Sequence, residues 1–273
     1  MSFIKLLILG IIQGISEWLP ISSSAHLLLY EKWANVLMYS DPILNVNFLN
    51  LLTVVIQLGS VGAVMMLFNR QLNPFDPRKS KKGKAITYGL WIKIIVAALP
   101  SLLVGITLSR FADHYFHNEI VIAIMLIVIG ILFIVVENHS VPLRIRKLNQ
   151  MDLLTAFKIG CVQTVAIIPG ASRSGSSILA ALMEGVDRKV ACEFSFLISI
   201  PVIIGASLLK IIQYSAGITF GGWLYVIGGC LISFIVSLFV VRILINYIKT
   251  HDFRVFGIYR ILLAIVVIIS IFL

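Results

Sequence analysis

Long apolar runs separated by short polar stretches dominate this chain. The runs at 47–69, 86–109, 119–137, 192–212, 222–246 and 254–273 are each long enough to cross a hydrocarbon layer, which takes about 20 apolar residues. They predict six transmembrane helices. Two further apolar segments, 2–29 and 151–183, are each interrupted near the middle by proline and a cluster of serines. Hydrocarbon cannot satisfy the backbone groups that such breaks free, so they survive where protein or a wet cavity surrounds them. Both segments are therefore expected to be re-entrant, with one helix in, a turn, and one helix back.

A weak internal repeat extends the pattern. Gly10-x-x-Gln13 precedes Pro20 and Ser22, and Gly160-x-x-Gln163 precedes Pro169 and Ser172, with the spacing differing by one residue; IQLGSVGA at 56–63 is echoed by IPVIIGA at 200–206. Paired broken segments in corresponding halves are the mark of inverted repeats around a site at the membrane midplane. The expected fold is an all-α polytopic membrane protein of one domain, 1–273. Six transmembrane helices and two re-entrant helix-loop-helix segments would form interlocked inverted repeats, with halves of roughly 1–137 and 151–273.

Composition agrees: 59% of residues are hydrophobic, 12% are charged, and mean hydropathy is +1.03. Those values exclude the soluble globular class. The formal charge of +10 does not imply nucleic acid, because the basic residues fall in short loops beside apolar spans. The segment Arg70 to Lys84, then Arg144, Arg146 and Lys147, then Arg188 and Lys189, then Lys249 and Arg254 form four basic loops; Lys32 and Arg110 stand opposite. With six spans and two re-entrant hairpins all four fall on one side, which the positive-inside rule makes cytoplasmic. The first hairpin then enters from outside and the second from inside, so their tips meet near the middle. The start of the chain, Lys5 followed by LLILGII, resembles a signal peptide, but cleavage would remove the first polar cluster and is not expected. Cys161, Cys192 and Cys230 sit in apolar surroundings and read as small hydrophobes.

Chemistry concentrates in the two breaks, QGISEWLPISSSAH at 13–26 and PGASRSGSS at 169–177. Ionisable groups at membrane depth cost several kcal/mol each and persist where a function needs them. Gln13 and Glu17 are four apart and share a helix face, so they could offer oxygens to a hard cation, Mg²⁺ or Ca²⁺, completed by water and a substrate phosphate. Bonding to backbone freed at Pro20 is the structural alternative. Ser22, Ser23 and Ser24 open the returning half-helix, where backbone N–H groups favour anions. His26 is close enough in sequence to exchange a proton with a serine, with Glu17 orienting or charging its ring. In the second cluster Arg173 stands between Ser172 and Ser174 and is followed by Gly175, Ser176 and Ser177, a setting suited to phosphate oxygens. Lys93, Lys210, Arg242 and Arg260 lie near span ends and are expected to anchor at headgroups; Glu193 is expected to pair at its helix terminus with Arg188 or Lys189. Gln57 is a candidate cavity residue. His114, His117, His139 and His251 read as loop bystanders.

These motifs resemble those of the undecaprenyl-diphosphate phosphatase family, the bacitracin-resistance type of integral membrane phosphatase. The likeness spans essentially the whole chain. It rests on (E/Q)-x-x-x-E leading into P-x-S-S-x-x-H, here Gln13 to His26, and on P-G-x-S-R-S-G, here Pro169 to Gly175. The resemblance implies removal of the terminal phosphate from a polyprenyl diphosphate, a site opening to the outer face of the plasma membrane, and a divalent cation. It implies Glu17, Ser23, His26 and Arg173 as the catalytic set, with Ser172, Ser174 and Ser177 contacting the phosphate; Ser22, Ser24, Gly175 and Ser176 of the same two clusters are further substrate-binding candidates. Many members carry Glu where this chain has Gln13, which removes a charge that could hold the cation. The expected chemistry is in-line attack by Ser23, deprotonated by His26, on the outer phosphorus; attack by metal-bound water uses the same residues. Expected partners are the lipid substrate and membrane lipids, and a homodimer is compatible with the pattern. The competing class is a transporter or flippase of a phosphorylated lipid.

Overall fold

The computed structural model describes residues 2–116, 118–139 and 141–272; His117 and the side chains of Arg110 and His114 lie outside the described residues. The helices are α1 (Phe3–Ser16), α2 (Ser23–Ala34), α3 (Pro42–Val55), α4 (Gln57–Leu67), α5 (Asn69–Leu72), α6 (Lys81–Tyr115) and α7 (Glu119–Asn138). They continue with α8 (Leu153–Gln163), α9 (Arg173–Met183), α10 (Arg188–Tyr214), α11 (Phe220–Tyr247) and α12 (Arg254–Ile271).

Six stretches are long and apolar enough to cross a membrane: Pro42–Leu67, Lys81–Ser109, Glu119–Asn138, Arg188–Tyr214, Phe220–Tyr247 and Arg254–Ile271. Each overlaps one of the six apolar runs. The first begins before residue 47 because Asp41 caps α3 through the backbone N–H groups of Ile43 and Leu44, with Pro42 in the first turn. Asn118, Asp187 and Thr219 likewise cap α7, α10 and α11, supplying an oxygen to donors that hydrocarbon would leave unpaired.

The two broken segments are helix pairs, α1 with α2 and α8 with α9. Their helices have 14, 12, 11 and 11 residues, so at 1.5 Å per residue none exceeds about 21 Å, short of a hydrocarbon core of about 30 Å. Each pair packs against a long helix, α1 on α11 and α8 on α6, while α7 lies along α12. Glycine permits the closest approach: a Cβ at Gly160 of α8 would stand 2.1 Å from the carbonyl oxygen of Ala97 in α6.

The pairs open toward opposite ends of the molecule. Lys5 of α1 donates to the carbonyl of Asn35 beyond α2, and Lys32 of α2 pairs with Glu119 and donates to the Ser270 carbonyl. The base of the second pair is closed by Lys158 and Glu184, 3.1 Å apart, at the other end. That end gathers the basic loops: Ile145 bridges Val186, Arg188 pairs with Glu137, and Glu137 also accepts from the Phe253 N–H. The hydrogen bond from Arg254 holds the Asp252 carboxyl there below the usual carboxylate range.

Candidate active site

The two breaks are built alike. α1 ends at Ser16, and Ser22 (φ 75°) turns the chain into α2; α8 ends at Gln163, and Ser172 (φ 69°) turns it into α9. Left-handed backbone at a non-glycine residue costs of the order of 1–3 kcal/mol and persists where the surroundings overdetermine it. The same 150-residue offset relates Gln13 to Gln163 and Ser22 to Ser172, so only the proline shifts by one. As a result Ser23 and Arg173 occupy the same position, the first residue of each returning helix.

The tips touch. Arg173 donates through Nε (3.3 Å) and Nη2 (3.1 Å) to Glu17 Oε1, and through Nη1 to the carbonyl of Ser195 (2.9 Å). The other carboxylate oxygen, Oε2, accepts from Gln13 Nε2 at 2.8 Å and from Ser23 Oγ at 3.3 Å. Glu17 is therefore the hub that holds hydroxyl and guanidinium at one point. Trp18 backs the guanidinium, its ring centroid 5.7 Å from Cζ, and itself meets Phe196 edge-on at 5.1 Å. Ser24 Oγ accepts from the Gly170 N–H (3.2 Å), and Ser174 Oγ donates to the carbonyl of Leu19 (3.3 Å). A cavity of about 270 Å³ opens on this point, lined by Glu17, Ser23, Ser24, Ser172, Arg173 and Ser174. Gln57, Ser101 and Gln163 complete its polar wall, as the reading of Gln57 anticipates.

Other expected site residues stand behind that wall. Gly175 donates its N–H to Ser172 Oγ of the wall itself, and Ser177 Oγ bonds Ser195 Oγ at 2.7 Å. Ser176 and Ser22 are fully buried; Ser22 Oγ bonds Ser24 Oγ at 3.1 Å, whereas Ser176 Oγ has no partner. Ser22, Gly175, Ser176 and Ser177 thus brace the tips.

His26 does not meet Ser23. Its Nδ1 lies 2.8 Å from the carbonyl of Ser22, which can only accept, so this nitrogen carries a proton. In the neutral ring Nε2 is then the free base, and it accepts from the Tyr259 hydroxyl at 2.7 Å. The carboxylate that Ser23 reaches is Glu17.

Arg260 overturns the expectation of a headgroup anchor. It is 0% exposed and donates to the carbonyls of Pro20 (3.1 Å), Gly170 (2.6 Å) and Ala171 (3.0 Å), so one guanidinium clasps both tips. Its place on a long apolar span resembles any snorkelling arginine, and no local motif marks it. Glu193 pairs with Lys189 at 3.6 Å, as expected of a helix terminus, while Arg188 turns to Glu137.

Among the described residues no group of three or more His, Cys, Asp or Glu could hold a metal ion. Gln13 is fully buried and its Oε1 lacks a hydrogen-bond partner. An unsatisfied amide oxygen beside one carboxylate suits a hard cation whose remaining ligands are water and substrate phosphate. It does not suit a closed protein cage.

Six apolar helices and a polar point buried between two broken segments define an integral, multi-pass membrane protein. The family model for bacitracin resistance protein BacA matches residues 6–266. The chain belongs to that family. It is 44% identical over 273 residues to an undecaprenyl-diphosphatase of Limosilactobacillus fermentum, covering 98% of this chain and 97% of that one. It is also 44% identical over 269 residues to undecaprenyl-diphosphatase 1 of Clostridioides difficile (98% and 96% covered), and 43% identical over 269 residues to an undecaprenyl-diphosphatase of Enterococcus faecalis (97% and 95%).

Proposed function

We propose that this protein is an undecaprenyl-diphosphate phosphatase: it hydrolyses the lipid diphosphate to the monophosphate and inorganic phosphate, returning the carrier to cell-wall or surface-glycan synthesis. One observation carries the proposal at the level of the site. A hydroxyl from one tip and a guanidinium from the other are hydrogen-bonded to the same buried carboxylate.

The diphosphate enters the cavity while the polyprenyl tail stays between helices or in lipid. Arg173 is already positioned and largely desolvated, its side chain 11% exposed, so its charge acts with little screening on phosphate oxygens as they gain charge. Ser23 Oγ attacks the terminal phosphorus and passes its proton to Glu17; the bond to the bridging oxygen breaks and the lipid monophosphate leaves. Water then hydrolyses the phosphoserine, releasing inorganic phosphate. His26 with Tyr259 holds the Ser22 carbonyl and so fixes the turn that presents Ser23. Glu17 and Gln13 Oε1 would hold a divalent cation, which supplies charge neutralisation on the diphosphate when bound.

The short helix pairs, their matched left-handed serines and their opposite openings support a re-entrant pair in inverted repeats, with halves of roughly 1–137 and 151–273. Clustering of the basic loops at one end supports that end as cytoplasmic in the plasma membrane, with substrate approaching from the outer face. Phosphate release by purified protein from undecaprenyl diphosphate, with and without chelator, tests the reading. Release abolished in Arg173→Ala is expected; binding of the lipid with no release by wild type contradicts it.

A further inference from the structure

At the basic end, the first turns of α6 and α10 and the chain at 146–149 enclose a second cavity of about 570 Å³, which the hydrolytic reading leaves unused. Six cations line it, Arg70, Lys79, Lys93, Arg146, Lys147 and Lys189, against two carboxylates, Asp187 and Glu193. Both acids are engaged. Asp187 accepts from the Lys189 and Val190 N–H groups to cap α10, and Glu193 pairs with Lys189. Lys93 donates to the carbonyls of Leu148 and Asn149, and Lys79 to the Gln71 carbonyl and Thr87 Oγ1. Arg70, Arg146 and Lys147 take part in none of the ion pairs of the described residues.

Orientation in the membrane requires cations on this side, but it requires no shape. Here three cations outside those ion pairs, from two separate segments, face a concavity whose wall includes Ile86, Leu90 and Val190. Two of its helices, α6 and α10, are membrane spans beginning at Lys81 and Arg188, so the cavity lies where they leave the hydrocarbon. Phosphate chemistry fits the rim. The apolar wall has no use for a free anion, whereas a glycerophospholipid needs one for its glycerol and upper acyl chain.

We propose that this basin binds an anionic phospholipid, its phosphate held by Arg70, Arg146 and Lys147 and its upper chain resting on Ile86, Leu90 and Val190. The bound lipid ties α6 to α10, and both helices also line the 270 Å³ cavity, through Ser101 and Val202.

The test is native mass spectrometry of purified protein offered equal phosphatidylglycerol and phosphatidylcholine. Wild type is expected to retain phosphatidylglycerol on the order of a hundredfold over phosphatidylcholine, since each of three basic residues near a lipid surface favours anionic lipid about fivefold. The triple variant R70Q/R146Q/K147Q should lose that preference while its thermal midpoint without lipid stays near wild type. Should the triple variant fail to fold, Arg146→Gln alone is expected to lower the ratio severalfold. Ser23→Ala keeps the ratio, because the catalytic cavity is not the binding site. Equal retention of both lipids by wild type, or an unchanged ratio in a folded triple or single variant, overturns the proposal. So does complete displacement of phosphatidylglycerol by millimolar inorganic phosphate, which would give the basin to the free anion.

Discussion

Replacing Arg260 with methionine removes the clasp between the two tips while keeping an unbranched apolar side chain in place. Three backbone carbonyls, of Pro20, Gly170 and Ala171, then lose their donor inside the protein. A hydrogen bond from a charged donor contributes about 1.5 kcal/mol or more, so three represent roughly 4–5 kcal/mol. Relief of a buried charge that has no ion-pair partner among the described residues offsets part of this, leaving an expected loss of about 2–4 kcal/mol. Turnover should suffer more than folding: Ser23 and Arg173 are the first residues beyond the two turns, and a misplacement of about 1 Å costs on the order of 100-fold in rate. Arg260→Lys separates the two effects. One ammonium keeps the charge but lacks the fork that reaches both tips, so it should recover much of the thermal midpoint and little of kcat. Phosphate release on purified variants, with kcat and KM resolved, and thermal unfolding in the same detergent provide the measurements. A folded Arg260→Met protein with kcat within twofold of wild type refutes the positioning role.

Ser23→Ala should lower kcat by at least about 1,000-fold in phosphate release if the hydroxyl is the nucleophile; residual turnover within tenfold of wild type points to attack by water. Gln13→Glu places a second carboxylate beside Glu17 and should lower the Mg²⁺ or Ca²⁺ concentration for half-maximal activity, read by metal titration after chelation, with an unchanged midpoint counting against the cation site. Gly160→Ala drives a Cβ to 2.1 Å from the Ala97 carbonyl; separation of α8 from α6 should lower the thermal midpoint by several degrees, and a wild-type midpoint would show that the contact yields freely.

The spans were legible because hydrocarbon imposes one uniform demand, about 20 apolar residues, and the chain meets it six times. Glu17, Ser23 and Arg173 stand out in the sequence for the opposite reason, since polar groups in apolar spans have few structural excuses, and the fold brings their side chains to one point. Contacts between distant segments were not. Arg260 satisfies the pattern of an ordinary span-end cation, and only the folded chain brings it against carbonyls freed at Pro20 and Gly170. His26 shows the same limit: proximity in sequence suggested a proton relay to Ser23, yet helical geometry turns its ring toward the Ser22 carbonyl and Tyr259. Ser176 and Ser177 share the motif with Arg173, but the helix buries both away from the cavity lining, Ser177 against Ser195 of α10.

The most direct test is a double-mutant cycle on Glu17 and Arg173, one residue from each tip, read as kcat/KM for phosphate release from undecaprenyl diphosphate. Because each group holds the other at 3.1 Å, Glu17→Gln and Arg173→Met should each disable the site, and the double variant should be little worse than either, a coupling well above about 1 kcal/mol. Losses that simply multiply would mean that the two side chains act independently, and would contradict a single site formed where the tips meet.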